Sequence, residues 1–293
     1  MPNARSHADR CPGVLRPWIA DDGAIVRLRL VGGVLPTSTL ATLIDIAERW
    51  ADGTILLTKR TNLQLRGIAH EDGAVPDALV GALTHAGLLP SQSHELVRNI
   101  MVSPLTGRAD GRADLRRVAL ELDRRLCDDP DLAGLAGRFL FVLDDGRGDV
   151  APRSLDIGLM AVDEETAQLR IGSHHWGEVV PLQETPAALI ALAARFLQCN
   201  GDGATALWHV DELDPGITAS ISGHHARDLR TQVTSLPPAY GIIAQDDGRV
   251  ADHVAVPDGL LTRNLTDDLV ARAGPELVVT PWRSVVVPDL ENV

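Results

Sequence analysis

Two stretches decide the fold: GTILLTKRTNLQLRG at residues 53–67 and ELVVTPWRSVVV at residues 276–287. Each is an apolar run in which an arginine follows a threonine by two or three residues, Arg60 after Thr58 and Arg283 after Thr280. Working outward, the same order of features precedes both. In the first copy Asp22-Gly23 leads a strand over Ile25–Leu30, a turn holding Gly32, Gly33, Val34 and Leu35, and an amphipathic helix over Leu40–Trp50. In the second, Asp247-Gly248 leads a strand over Arg249–Val256, then Asp258-Gly259-Leu260-Leu261 and a helix over Asn264–Ala273. The offsets are 225 residues from Asp22 to Asp247, 226 from Gly33 to Gly259 and 223 from Arg60 to Arg283. So small a drift over three landmarks marks an internal repeat. A lone strand–helix–strand unit cannot bury both faces of its sheet, and its crossover prefers the right hand. Pairing the copies about a pseudo-twofold axis buries them against each other and brings the arginine-bearing strands together.

The residues between the copies read as an α/β block. Helices are expected over 76–86, 112–126 and 186–198, the second carrying Leu115, Val118, Ala119, Leu122 and Leu126 at helical spacing. Strands are expected over 96–102 and 139–143, a hairpin over 155–172 with Asp163-Glu164-Glu165 in its turn, and one more strand over 205–210. Residues 214–238 read as a loop-rich connector. The expected fold class is therefore α+β: two half-repeats, at 1–72 and 214–293, around a central α/β domain at 73–213.

Composition narrows the function. With 293 residues, 45% hydrophobic and 23% charged, the chain has ample material for buried cores. A net charge of -13 argues against general binding to nucleic acid or an anionic membrane, while leaving room for a local basic pocket. No run of 18 apolar residues occurs, and residues 1–7 have no apolar segment after their basic positions, so neither a membrane span nor a signal peptide is expected. Cys11, Cys127 and Cys199 are too scattered for a disulfide framework, which fits a cytoplasmic protein. Dinucleotide, P-loop and nucleophile-elbow motifs are absent from the sequence. His174-His175 and His224-His225 are adjacent pairs; neighbours in a strand point to opposite faces, so neither pair suits a metal, and no metal ligands are assigned.

The chemistry is expected in residues 58–67. Read as one strand, this segment places Arg60, Asn62, Gln64 and Arg66 on a single face opposite Leu63 and Leu65. Guanidinium groups stay charged at any relevant pH and pair bidentately with carboxylates or phosphates, so such a face suits a multiply charged anion. Arg98, ahead of a Pro–Gly turn, and Arg138, ahead of Phe139, are further candidates.

Taken in order, TKRTNLQLRG at 58–67, RNIMVSPLTG at 98–107 and TPWR at 280–283 resemble the nitrite/sulfite reductase superfamily. With Cys11-Pro12-Gly13 at the start, the chain looks most like the precorrin-3B synthases of aerobic cobalamin biosynthesis, and the likeness covers almost all of it. The resemblance implies ferredoxin-like half-repeats. It implies an oxidoreductase of monooxygenase type that hydroxylates an anionic tetrapyrrole, precorrin-3A, with dioxygen. It also implies that Arg60 and Arg98 face the tetrapyrrole with Gln64 nearby; on physical grounds its carboxylates are expected to pair with Arg60, Arg66, Arg98, Arg138 and Arg283. Implied cofactors are a 4Fe-4S cluster and sirohaem or a mononuclear iron. The cluster's four cysteines belong, in the family, to a domain after the second half-repeat; this chain ends at Val293, so they are expected from a truncated segment or a cluster-bearing partner, unless iron is no longer used. An electron donor is a further implied partner. Sulfite reductases carry a Lys-Phe-Lys stretch where this sequence has Arg138-Phe139-Leu140, which weighs against the alternative of a sirohaem-dependent sulfite or nitrite reductase. The remaining alternative is a non-catalytic module that binds a tetrapyrrole or a protein partner.

Overall fold

The computed structural model describes residues 9–201, 206–234 and 236–292. The signal-peptide reading, which rests on residues 1–7, lies outside them, as does Thr205 of the strand expected over 205–210. The chain divides into two compact units. One comprises Cys11–Glu95 with Pro238–Val293; the other comprises Leu96–Pro237 with the described residues of Met1–Arg10. Both repeat copies therefore belong to one unit, called here the repeat unit.

In the repeat unit the first copy runs β1 (Trp18–Ala20), β2 (Gly23–Leu28), β3 (Val34–Pro36), α1 (Thr37–Trp50), β4 (Ile55–Leu57), β5 (Leu63–Ile68) and α2 (Asp77–His85). The second runs β11 (Gly241–Ala244), β12 (Val250–Ala255), β13 (Leu260–Leu261), α6 (Arg263–Arg272), β14 (Glu276–Val279) and β15 (Ser284–Leu290). They form two five-stranded sheets of matching order, β1-β2-β5-β4-β13 and β11-β12-β15-β14-β3. Each sheet thus ends in a short strand lent by the other copy, β13 against β4 and β3 against β14. Val34 and Leu35, expected in a turn, form that lent strand. Each long apolar run is a hairpin rather than one strand, and β5 inserts between β2 and β4, antiparallel to both. The crossover through α1 consequently joins strands that are not neighbours.

One core fills this unit. Leu40, Leu43, Ile44 and Ala47 recur along α1 at the spacing that puts them on one face. They pack into a single buried cluster with Val26, Leu28, Leu63 and Leu65 of the first copy and Leu261, Leu269, Leu277, Val285 and Val287 of the second. At about 25 cal/mol per Å2 of apolar surface, this shared burial is what neither copy could gain by itself. On the surface, Arg263 of α6 adds ion pairs to Asp45 (2.5 Å) and Glu48 (2.6 Å) of α1.

The central unit holds β6 (Ile100–Val102), α3 (Arg116–Asp128), β7 (Phe141–Asp144), β8 (Ile157–Ala161), β9 (Thr166–Ile171), β10 (His175–Pro181), α4 (Thr185–Cys199) and α5 (Pro215–Ser222). Its sheet order is β10-β9-β8-β7-β6, parallel from β6 to β8 and antiparallel beyond. In its core Phe139 meets Phe141 edge-to-face and Phe196 at a tilt, at centroid distances of 5.2 and 5.3 Å. The connector expected over 214–238 contains α5: Asp214 caps it by accepting from the Gly216 N–H, Pro215 opens it and left-handed Gly223 closes it. Residues 206–209 form no strand. Among the described residues no helix is long and apolar enough to cross a membrane.

Candidate functional site

The turn after β4 spans Thr58–Asn62, and hydrogen bonds close it at both ends. The Thr58 N–H donates to the Asn62 carbonyl (2.9 Å) and the Thr61 N–H to the Thr58 carbonyl (3.2 Å). The Thr58 hydroxyl oxygen accepts from the Asn62 and Arg60 N–H groups at 3.1 and 3.4 Å. Thr61 has φ +57°, a left-handed conformation that costs a β-branched residue free energy and is held by its surroundings. Arg60 therefore sits in a turn, half-buried, rather than on a strand face. Asn62 is wholly buried, and its side-chain oxygen accepts from the Leu30 N–H (3.2 Å), which pins the turn to the end of β2.

The second copy builds the same turn over Thr280–Ser284. The Thr280 N–H donates to the Ser284 carbonyl (2.9 Å), and the Arg283 N–H to the Thr280 carbonyl (3.2 Å). Arg283 takes the left-handed position at φ +59°. A buried relay holds it. His253 Nδ1 lies 3.1 Å from the Pro238 and Ala239 carbonyls, which can only accept, so Nδ1 carries the proton. Nε2 then accepts from the Ser284 hydroxyl (2.7 Å), Ser284 accepts from the Thr280 hydroxyl (2.5 Å), and Thr280 accepts from the Trp282 N–H (3.2 Å). Burial pushes the pKa of His253 below its ordinary value, so the ring stays neutral in this role.

Superposing the two turns residue by residue corrects the repeat register. Thr58 corresponds to Thr280, Arg60 to Trp282, Thr61 to Arg283 and Asn62 to Ser284. The arginines are thus one place out of step, Arg283 standing where the first copy has a threonine. Each left-handed residue packs on a glycine of its own copy. A Cβ placed on Gly33 would lie 3.3 Å from Thr61 Cβ, and one on Gly259 would lie 3.0 Å from Arg283 Cβ. The Gly33 position is also 2.2 Å from the Val279 carbonyl oxygen, just ahead of the second turn. Gly33 is therefore where both turns meet.

Only part of the expected strand face survives. Gln64 lies on β5 opposite Arg27 of β2, whose guanidinium donates to its side-chain oxygen (3.4 Å). Arg66 sits where the β2–β5 register shifts, beside left-handed Gly67, and is turned to Asp22 in an exposed ion pair (3.2 Å). Arg60, Asn62, Gln64 and Arg66 therefore do not share one surface: a turn, a buried anchor, a sheet face and a bulge hold them separately. Arg27 and Arg29 were not anticipated, although their i, i+2 spacing in IVRLRL at 25–30 signals one polar strand face. Arg29 is buried and donates to the Pro12 carbonyl (3.2 Å), near the Cys11-Pro12-Gly13 motif.

The remaining two candidates belong to the central unit. Arg98 precedes β6 and makes a bidentate pair with Asp123 of α3 at 2.7 and 2.8 Å, its side chain 8% exposed. Burial works against its charge, but the Asp123 carboxylate outweighs that and raises its pKa above the usual arginine value. Two of its three guanidinium nitrogens, Nε and Nη2, are thus engaged by Asp123. Arg138 is exposed on a turn, with its guanidinium 5.1 Å from the centre of the Trp208 ring. Leu140 is core, packed with Met101, Val142, Val150 and Leu155. The three cysteines do not fit a four-iron cluster, which takes four thiolates: Cys127 lies in α3 beside Arg98, Cys199 ends α4 in the open, and Cys11 is half-buried in the other unit.

Residues 20–74, the first copy, match the Nitrite/Sulfite reductase ferredoxin-like half domain. A ferredoxin–nitrite reductase from Leptolyngbya laminosa is 32% identical over 142 residues, covering 46% of this chain and 27% of that protein. A precorrin-3B synthase from a Sinorhizobium species is 34% identical over 154 residues, covering 52% of this chain and 32% of that protein. The alignments thus span about a third or less of these curated relatives. The structure of Mycobacterium tuberculosis NirA superposes with a TM-score of 0.73 at 23% identity, covering 97% of this chain and 60% of NirA. The chain carries the ferredoxin-like half domain of the nitrite/sulfite reductases, and it has their fold from the first repeat copy to the second.

Proposed function

We propose that this chain binds a tetrapyrrole bearing several carboxylates, as a precorrin-3B synthase-like member of this oxidoreductase superfamily. The observation that carries the reading is the duplicated turn, which holds Arg60 and Arg283 on hydrogen-bonded supports, with Thr61 of the first turn and Val279 just ahead of the second both packed against the Gly33 position. Preorganised guanidinium groups pair with carboxylates at little cost in side-chain ordering. Arg27, on the adjoining sheet face with Gln64, adds a third positive charge. The macrocycle is the substrate in this account, and the chain's own contribution is to bind and orient it. The three cysteines do not supply the four thiolates of the cluster that the family resemblance implies.

Arg60→Ala and Arg283→Ala test the reading with uroporphyrin III as the fluorescent probe. Each substitution removes a charge-assisted hydrogen bond of about 1.5–3 kcal/mol, an expected weakening of about 10- to 150-fold. Alanine is no more strained than arginine at position 283, and it keeps the Cβ that packs on Gly259, so thermal stability is expected to hold. Wild-type affinity in both variants, or a fall in melting temperature without a binding defect, contradicts the site. The likeness to a ferredoxin–nitrite reductase favours a second reading, a sirohaem-dependent reductase. Leu140 speaks against it, because the position is buried apolar core where that reaction's lysine is expected.

A further inference from the structure

The loop after β7 gathers three buried carboxylates in the central unit, well apart in sequence from the duplicated turns. One oxygen each of Asp144, Asp145 and Asp149 lies within 4.8 Å of the others, and all three residues are buried. Their hydrogen bonds are unevenly spread. Asp144 Oδ1 accepts from the Gly146 and Gly148 N–H groups (both 2.9 Å) and Oδ2 from the Val150 N–H alone (3.2 Å). Both Asp145 oxygens are taken by Arg147, whose remaining reach goes to the Ala109 carbonyl. Asp149 Oδ1 accepts from the Ser103 hydroxyl (2.7 Å), and Oδ2 accepts from nothing. That oxygen sits 3.8 Å from Arg147 Nε, beyond hydrogen-bond distance, on a carboxylate with no exposed side-chain surface.

A buried carboxylate oxygen without a donor is costly. Here three buried carboxylates share one contacting guanidinium at close range. Arg153 and Arg170 add positive charge only from farther away: Arg170 donates instead to the Ala151 carbonyl (2.8 Å). Two features thus point to a missing positive ligand, the orphaned Asp149 Oδ2 and the open lone pair on Asp144 Oδ2.

We propose that Asp144, Asp145 and Asp149 form a site for a hard divalent cation, calcium before magnesium. The donors are all carboxylate oxygens, with the Ser103 hydroxyl adjacent, the set that hard cations take and soft ones do not. Oxygens on opposite sides of a calcium ion lie about 4.6–5.2 Å apart, against about 4.0–4.2 Å across magnesium, so a spread of up to 4.8 Å suits calcium without contraction. The ion supplies the partner that Asp149 Oδ2 lacks and ties the β7 loop to Ser103 after β6. The site is structural.

The test uses the full chain, stripped with EDTA, returned to metal-free buffer at pH 8 and titrated with CaCl2, MgCl2 or MnCl2. Calcium is expected to bind one ion per chain by calorimetry, with a dissociation constant at least fivefold below that of magnesium, and to raise the melting temperature by several degrees. Asp149→Asn keeps the shape and the Ser103 contact; it should weaken calcium at least tenfold while folding normally by circular dichroism. Should Asp149→Asn fail to fold, Asp144→Asn is read in the same way. No heat and no thermal shift with any of the three ions up to 10 mM overturns the proposal, and so does undiminished calcium binding by the folded variant. Uroporphyrin binding is measured alongside, and its failure would leave a positive calcium result standing.

Discussion

Gly33→Ala is expected to unfold the repeat unit under conditions where the wild-type chain is stable. The new Cβ would stand 2.2 Å from the Val279 carbonyl oxygen and 3.2 Å from its carbon, backbone atoms that cannot rotate away. Relief requires moving β14 off β3, because the Val279 N–H donates to the Gly33 carbonyl at 2.8 Å and Val34 pairs with Val278 directly beyond. Alanine at φ +75° adds a conformational penalty of about 1 kcal/mol. Forced separation of packed backbone adds about 1–3 kcal/mol, so a loss of about 2–4 kcal/mol is expected. Gly73→Ala is the control. It has φ +82° and nothing within 4 Å of its Cβ position, so only the conformational penalty applies. Equal denaturation midpoints for the two variants would show that the close approach of the copies at Gly33 is absent.

Arg98→Ala is the second large effect, and it separates a structural arginine from a ligand-binding one. Removing the guanidinium strands the Asp123 carboxylate, whose side chain is 18% exposed, in a site built to neutralise it. Breaking a buried pair from one side costs about 3–5 kcal/mol. The exposed pair of Arg66 with Asp22, at 40% and 52% exposure, should lose less than about 1 kcal/mol on Arg66→Ala. Exchanging both partners, Arg98→Met with Asp123→Leu, is expected to recover most of the stability by replacing a buried ion pair with apolar packing. Urea denaturation reads all four proteins. If Arg98→Ala is as stable as Arg66→Ala, the pair with Asp123 does not hold the central unit together.

The sequence made the duplication legible because Asp-Gly turns, glycines and helical periodicity recur at nearly constant spacing. It did not show how the copies interlock. The exchanged strands, Val34–Pro36 and Leu260–Leu261, are two or three residues long, too short for any alternation to register. The polar alternation from Arg60 to Arg66 imitated one strand because a left-handed turn and a bulge both preserve an even spacing while redirecting the side chains. Thr61 and Arg283 gave no warning, since left-handed positions usually announce themselves as glycine or asparagine. In the connector, by contrast, the signals for α5 were present: Asp214, Pro215 and Gly223 are a cap, a first-turn proline and a terminator. Arg98 could not be assigned from sequence because its partner, Asp123, is 25 residues away on another element.

Charge pairing at the duplicated turns is tested most directly by comparing one macrocycle with and without its charge. Uroporphyrin III and its octamethyl ester share a ring and differ in eight carboxylates. Titrated into the chain in the same detergent-containing buffer, the acid is expected to bind at micromolar concentration and to weaken steeply as salt rises. The ester is expected to bind at least a hundredfold more weakly. Equal affinity for acid and ester, or acid binding indifferent to salt, would contradict a site built on Arg60 and Arg283.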